Sequence, residues 1–135
     1  MHWITEYIGL PWRDCAYSPA AYCCYGLARA VLPRHYGIDP EHLPLTTLRH
    51  DQHQAIQVLS REMILRHWQP IDAIEDGCGV MLRTKKTFHH IGIGVKRDGQ
   101  LRILHASVGS GVSLDKPAQL LRLGWKEIKY YRYGR

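Results

Sequence analysis

The pattern of apolar residues changes at Gly79, and this change most limits the folds that the chain can adopt. Before it, apolar residues recur at helical spacing, as in the stripe from Trp3 to Ile8, which ends at Gly9. After it, short runs of β-type residues occupy positions 80–83, 90–95, 101–106, 111–114 and 125–133. Helices followed by a meander predict an α+β fold, with N-terminal helices packed on a C-terminal antiparallel β-sheet.

Two further helices are predicted in the first half of the chain. One begins close to Cys23 or Cys24 and kinks or ends near Leu32, because Pro33 lacks a backbone N–H. A longer helix is capped by a threonine at position 46 or 47 and runs to about position 68. We find no repeat, linker or low-complexity tract, so the length of 135 residues predicts a single domain over residues 1–135.

The pair Asp98-Gly99 separates the second and third β-type runs and is a hairpin turn signal. In a hairpin closed there, His90 lies eight residues before Asp98 and His105 seven residues after it, so the two are at nearly the same level. Their imidazoles would approach each other if they share a face of the sheet. His89 could take the place of His90. Because side chains alternate along a strand, these two neighbours lie on opposite faces, so only one of them can contribute to a given site.

Composition excludes several classes of protein. With 45% hydrophobic and 22% charged residues the chain is neither disordered nor fibrous. No apolar run approaches the roughly 20 residues that span a bilayer, and no basic segment followed by an apolar one opens the chain. We therefore expect no membrane insertion and synthesis in the cytoplasm without a signal peptide.

The net charge of +6 favours anionic partners such as nucleic acid, anionic lipid or acidic cell-envelope polymers. Most of the excess lies in the second half, where basic residues alternate with apolar ones. This pattern is typical of a solvated basic face, so binding of nucleic acid rests on charge alone and is disfavoured.

Four cysteines without an export signal predict reduced thiols, since two of them are adjacent. The nine histidines form no HExxH motif and the cysteines form no CxxC motif, so we predict no metal site. Hydrolysis by a thiol and an imidazole requires no organic cofactor, and we expect none. Cys24 is the best-placed nucleophile, because a helix N-terminus lowers the pKa of a thiol. The other three, Cys15, Cys23 and Cys78, are less well situated.

The stretch YIGLPWRDCAYSPAAYCCYGLARAVL resembles, without a gap, the N-terminal signature of NlpC-type cell-wall peptidases, which are papain-like cysteine hydrolases. The matching positions are Gly9, Pro11, Trp12, Ser18, Pro19, Tyr22, Cys24, Gly26 and Leu27. HIGIGV and ILHAS resemble two later strands of the family, and the resemblance covers about residues 5–114. It implies a papain-like fold, with Cys24 as nucleophile, His90 as base and His105 as the third polar residue.

The ending GWKEIKYYRYGR is similar to the tail of the phage and prophage tail-assembly subgroup, which often has an aromatic where Tyr25 stands. The chain departs from the family at Cys23, where an Asp is normal, and at Cys15-Ala16, where a Gly-Gly pair is common. Loss of the Asp removes an acceptor at the helix start and puts activity in question.

The resemblance implies a cysteine peptidase or amidase that cleaves amide bonds in peptidoglycan stem peptides or muropeptides and degrades the cell wall. Trp12, Tyr22 and Tyr25 are predicted to bind substrate, although aromatics near a helix start also serve as core residues. Delivery by a phage particle or a secretion machine to the periplasm or cell wall would fit the missing signal. The alternative is a structural component of a phage-tail-like particle, with other tail proteins as partners and weak or no catalysis.

Overall fold

A six-stranded antiparallel sheet with one long helix packed against it forms the centre of the molecule. The computed structural model describes residues 2–13, 17–18, 20–43, 66–84 and 90–134. The regular elements are β1 (Tyr17–Ser18), β2 (Ala21–Tyr22), α1 (Cys24–Tyr36), β3 (Trp68–Ile71), β4 (Gly79–Arg83), β5 (His90–Arg97), β6 (Gln100–Ser107), β7 (Gly111–Asp115), α2 (Pro117–Arg122) and β8 (Glu127–Tyr133), with 3-10 helices at Trp3–Glu6 and Pro40–His42. The large sheet has the order β3-β8-β4-β5-β6-β7, which confirms the predicted α+β class.

The first four predicted β-type runs lie within strands of this sheet, and the fifth, 125–133, contains β8 but begins two residues before it. The turn at Asp98-Gly99 closes the β5–β6 hairpin as predicted. Both turn residues have positive φ, 53° at Asp98 and 78° at Gly99, as a two-residue hairpin of the right twist requires. β3 was not predicted, because Pro70 interrupts its pattern. Its place at the end of the sheet explains how the proline is tolerated.

The predicted long helix reaches about position 68, but Trp68 already begins β3, and only residues 66–67 of that segment are described as helical. The remainder of this prediction falls on residues 44–65, outside the described residues. Near the end of the chain, Pro117–Arg122 form the short helix α2, with the proline in its first turn.

Helix α1 begins at Cys24, as predicted, but it continues through Pro33 to Tyr36 instead of ending near Leu32. Its C-terminus is secured by Gly37, whose left-handed conformation lets its N–H reach the carbonyls of Leu32 and Pro33. This cap stabilises the last turn. The helix therefore continues past Pro33, although Pro33 has no N–H to donate.

The N-terminal stripe forms the short 3-10 helix and buries Ile4 and Tyr7 in the core. The following segment is attached to β7, since Gly9 N–H donates to Val112 O and Val112 N–H donates to Leu10 O, both at 2.9 Å. This attachment brings the chain toward β2 and the start of α1.

The two faces of the sheet are covered by different cores. One face packs with α1 and includes Ile91, Ile93, Val95, Leu104 and Ala106. The other face carries Val80, Leu82, Ile103 and Leu120 of α2. Because side chains alternate along a strand, His90 and His105 lie on the second face, the one turned away from the body of α1.

Candidate active site

Cys24 is the first residue of α1 and is buried, with 4% of its surface exposed. The residue before it, Cys23, is the N-cap, and its sulfur accepts the backbone N–H of Gly26 at 3.3 Å. The thiol therefore occupies the capping position of the Asp that the sequence lacks, and it satisfies one of the donors left unpaired at a helix start.

The pairing of β5 with β6 ends before His90, which leaves a gap in the ladder there. The register of these strands runs from Arg97↔Gln100 back to Ile93↔Leu104 and goes no further toward His90. Gly94 N–H points to the β4 side, where it donates to Cys78 O at 2.9 Å, so the N–H of Ile91 points to the β6 side. The backbone N–H of Ile91 is close enough to the sulfur of Cys24 to act on the pKa of its thiol.

Burial raises the pKa of the Cys24 thiol from 9.0 to about 12. The N–H groups of Ile91, Tyr25 and Cys24 itself act in the opposite direction but do not offset the loss of water. The lowered pKa predicted from the helix N-terminus is therefore wrong, because the sequence could not reveal how deeply the sulfur is buried. The thiol is therefore neutral at neutral pH.

The structure brings His90 and His105 together, as the hairpin arithmetic predicted. Nε2 of His90 lies 2.9 Å from Nδ1 of His105, and the rings meet edge to face at 81°. Both side chains are buried. The pairing is diagonal, since the register places Gly92 opposite His105.

Gly92 leaves the space that this arrangement needs. A Cβ at this position would lie 2.7 Å from Cγ2 of Ile103, 3.0 Å from Leu104 O and 3.3 Å from the Cβ of His105. Any larger residue would therefore push β6 and its histidine away from β5.

Asp115 and Ser113 extend the pair on its other side. Nε2 of His105 lies 2.8 Å from Oδ2 of Asp115, and the hydroxyl of Ser113 donates to the same oxygen at 2.7 Å. The hydrogen bond from His105 holds the pKa of Asp115 below its ordinary value. Sequence reasoning missed Asp115. The available signal was the period of two in GVSLD, which puts residues 113 and 115 on one face of β7.

Trp125 covers His90 and was also missed as a site residue. Its ring stacks on the imidazole with centroids 4.7 Å apart and planes 18° from parallel. It lies just before β8, next to the α2 segment, and is half-buried. The sequence placed it inside a strand, which gives no indication of a stacking partner.

The three aromatics predicted to bind substrate have different surroundings. Tyr22 is only 3% exposed and packs on Tyr7, so its ring belongs to the core. Trp12 is half-buried and forms an isolated bridge with Tyr22, whereas Tyr25 is half-buried at the start of α1. Contact of Trp12 and Tyr25 with a substrate stays a prediction, and the burial of Tyr22 argues against such contact for its ring.

The remaining candidates lie apart from this site. Cys78 is buried on the opposite side of the sheet from α1, and its sulfur accepts the N–H of Glu75 at 3.4 Å. Cys15 and His89 fall outside the described residues. Within the described ranges no group of three or more His, Cys, Asp or Glu side chains could hold a metal ion. No helix in the described part of the chain is long and apolar enough to cross a membrane.

Comparison with known proteins gives a likeness of fold. No protein-family model matches the chain, and no curated protein does. A crystal structure of an N-acetylmuramoyl-L-alanine amidase from Bacteroides uniformis ATCC 8492 at 1.30 Å resolution matches 97% of this chain and 97% of its own, with a TM-score of 0.53 and 14% identity. This match shows a common fold.

A second crystal structure of an N-acetylmuramoyl-L-alanine amidase from the same organism, at 1.15 Å resolution, is 26% identical over 46% of this chain, with a TM-score of 0.39. The match spans only 30% of that amidase. The fold and the site thus define an α+β protein with a buried thiol beside a sheet that carries two hydrogen-bonded histidines.

Proposed function

We propose that this protein is a cysteine-dependent amide hydrolase of the NlpC type that acts on the stem peptides of peptidoglycan. Cys24 is the nucleophile, His90 is the general base and acid, and His105 orients His90. The observation that carries the proposal is a buried cysteine at the start of α1 together with two buried histidines that are joined at 2.9 Å and continue to Asp115 at 2.8 Å.

For two neutral imidazoles, the hydrogen bonds favour one set of proton positions. An ionised Asp115 only accepts, so His105 carries its proton on Nε2 and offers the lone pair of Nδ1 to His90. His90 then carries its proton on Nε2 and has a lone pair on Nδ1. That lone pair is what a general base needs to accept the thiol proton.

The reaction begins with transfer of the Cys24 proton to Nδ1 of His90. Because the pKa of the thiol is raised, the proton leaves the sulfur while the sulfur attacks the carbonyl carbon, and not before. A hydroxyl nucleophile is activated in the same way. The sulfur bonds to the amide carbonyl carbon, and the charge on the oxygen is stabilised by N–H groups at the start of α1. The imidazolium of His90 then protonates the leaving nitrogen, and the C–N bond breaks.

Hydrolysis of the thioester completes the cycle. His90 takes a proton from water, the resulting hydroxide attacks the acyl carbon, and the C–S bond breaks to release the carboxylic acid and the thiol. Trp125, stacked on His90, stabilises the imidazolium that forms in both halves of the reaction.

The substrate class rests on two independent supports. The sequence signature around Cys24 is similar to that of enzymes that cut stem peptides, and the protein of like fold is named for hydrolysis of an N-acetylmuramoyl-L-alanine amide. The basic charge of the chain suits the anionic cell wall. We further propose, from the C-terminal segment alone, a phage or prophage origin and delivery with a tail-like particle.

Mass spectrometry of purified muropeptides tests this function. The wild type should release new amine and carboxylate termini, whereas Cys24→Ala should release none. Cys78→Ala is the matched control, since it removes a second buried thiol on the other side of the sheet. Products from Cys24→Ala, or an equal loss in both variants while both remain folded by circular dichroism, would contradict the assignment of the nucleophile.

A structural role in a tail-like particle is the second candidate, and the burial of the thiol favours it. Cys24 is only 4% exposed, and the pKa of its thiol is raised to about 12. A non-catalytic core cysteine would show both properties. In that case the folded wild type would yield no products from any muropeptide, and Cys24→Ala would differ from it only in stability.

A further inference from the structure

The β6–β7 register places a carboxylate beside His105, at the end of the histidine pair that is farthest from the proposed base. His105 pairs with Ser113 across these strands, and Asp115 lies two residues further along the same face. The Asp115 carboxylate is about a quarter exposed, and its Oδ2 receives two hydrogen bonds, from His105 and from Ser113. The carboxylate is therefore held in one orientation against the side of His105 that faces away from His90.

We propose that Asp115, oriented by Ser113, is a positioning residue that sets the tautomer of His105 and, through it, the tautomer of His90. The proposal rests on the proposed function for its catalytic meaning, although the tautomers themselves are independent of any substrate. Asp115 does not reach the reacting atoms. It acts through two imidazoles in series, each of which passes its orientation to the next.

Ser107 shows why His105 needs this control. Its hydroxyl lies 3.1 Å from Nδ1 of His105, the same nitrogen that must accept from His90. A hydroxyl can accept as well as donate, so Ser107 would receive a proton placed on Nδ1. Without the carboxylate, His105 is free to adopt this second tautomer.

The second tautomer would disable the site. With a proton on Nδ1, His105 faces the Nε2–H of His90 with another donor, and two donors at 2.9 Å repel. His90 relieves the conflict by moving its own proton from Nε2 to Nδ1. The nitrogen that should accept the thiol proton then carries one already, and the base is lost.

Nuclear magnetic resonance of ¹⁵N-labelled histidine side chains measures the tautomers directly, in a Cys24→Ala background that removes turnover. We expect Nε2–H at both His105 and His90 when Asp115 is present. Asp115→Ala should give a clear Nδ1–H population at both. Asp72→Ala, at an exposed position between β3 and β4, is the matched control and should leave the spectrum unchanged.

Two further variants grade the effect. Asp115→Asn keeps an oxygen that Ser113 and His105 can share, so it should retain the native tautomer better than Asp115→Ala. Ser113→Ala keeps the carboxylate but loosens its orientation, and its effect should be the smallest. Unchanged tautomers in folded Asp115→Ala would overturn the proposal, whatever the enzyme assay shows.

Kinetic measurements on protein that retains Cys24 connect the tautomers to the proposed reaction. Asp115→Ala should lower kcat about 10- to 100-fold with little change in KM, as for other residues that orient a functional histidine. A loss carried by KM alone would contradict a positioning role. If the wild type has no activity but the tautomers still respond to Asp115, the proposed function fails while the positioning of the histidines stands.

Discussion

Two pairs of neighbouring histidines lie in different parts of this protein, and they are built differently. His90 and His105, on β5 and β6, meet edge to face and share a hydrogen bond of 2.9 Å between ring nitrogens. His42 and His67, next to β3, stack face to face with centroids 3.6 Å apart and planes within 8° of parallel. The first pair joins nitrogens, whereas the second joins ring faces.

The surroundings of the pairs follow from this difference. His105 continues to Asp115 at 2.8 Å, whereas Oδ2 of Asp39 lies 3.9 Å from Nε2 of His42. Nδ1 of His42 instead contacts the hydroxyl of Tyr133 at 2.6 Å. A stacked pair contributes packing, but a pair joined by its nitrogens can fix where protons reside. The direction of ring nitrogens, more than the number of histidines, thus separates a reactive site from a structural cluster.

The largest expected effect comes from removing one imidazole of each pair. His90→Gln should lower the rate of the proposed amide hydrolysis by about 10³-fold, because it removes the proposed general base and acid. His42→Gln should leave the rate unchanged and affect only stability. Steady-state rates on one muropeptide, with unfolding curves for both variants, check this, and equal losses of rate would remove the distinction between the pairs.

Gly92→Ala should act on the first pair alone. The new Cβ would meet Ile103 and the carbonyl of Leu104, which costs about 1–3 kcal/mol in the free energy of unfolding and displaces His105. Gly134→Ala is the control, since a Cβ there would lie 3.8 Å from the nearest atoms of Gln69, in ordinary contact. Urea unfolding measures both, and a Gly92→Ala variant as stable as wild type would show that the strands can adjust.

Trp125→Leu and Tyr133→Leu compare the aromatic neighbours of the two pairs. Each should cost about 0.5–1.5 kcal/mol in the free energy of unfolding through the lost ring contact. Only Trp125→Leu should also lower kcat, by less than about tenfold, since it stacks on the proposed base. An equal kcat in both variants would mean that the Trp125 stack serves stability alone.

The smallest expected effect is on the free energy of unfolding, and it is absent at neutral pH and increases at alkaline pH. The pKa of Cys24 is raised on folding, so its contribution to stability is complete below pH 9.0 and is lost as the pH rises toward about 12. The unfolding free energy of Cys24→Ala should therefore fall less between pH 9 and pH 11 than that of the wild type.

Alkylation tests the same thiol from the chemical side. Iodoacetamide should label Cys24 slowly at neutral pH and faster in alkali, because the thiolate is the reactive form. Rapid labelling at pH 6 to 7, with Cys78 unreacted, would show that His90 and not burial controls the sulfur.

Much of this site could be predicted from local patterns. The β-type runs and the Asp98-Gly99 turn give β5 and β6, and counting from the turn brings His90 near His105. The count could not give the diagonal offset, because register depends on how the turn closes. Asp115 was missed for a related reason: its contact with His105 depends on the β6–β7 register, and no short turn signal fixes that pairing in the sequence.

The errors arise where tertiary structure outweighs local chemistry. A helix N-terminus favours a thiolate, but the burial of Cys24 has the larger effect on its pKa. Pro33 disfavours helix, yet the Gly37 cap secures the turn that contains it. The missing Asp before Cys24 is offset by the sulfur of Cys23, since a thiol can also accept the N–H of Gly26.

The backbone amide of Ile91 lies beyond the last residue pair in the β5–β6 register, and it is close enough to the Cys24 sulfur to lower the pKa of the thiol. Its amide proton is therefore a native reporter of the thiol. In the proposed mechanism the sulfur becomes a thioester, so the amide resonance of Ile91 should move while the acyl group is attached. The lifetime of the covalent intermediate can thus be followed at a main-chain atom, without any label on the substrate.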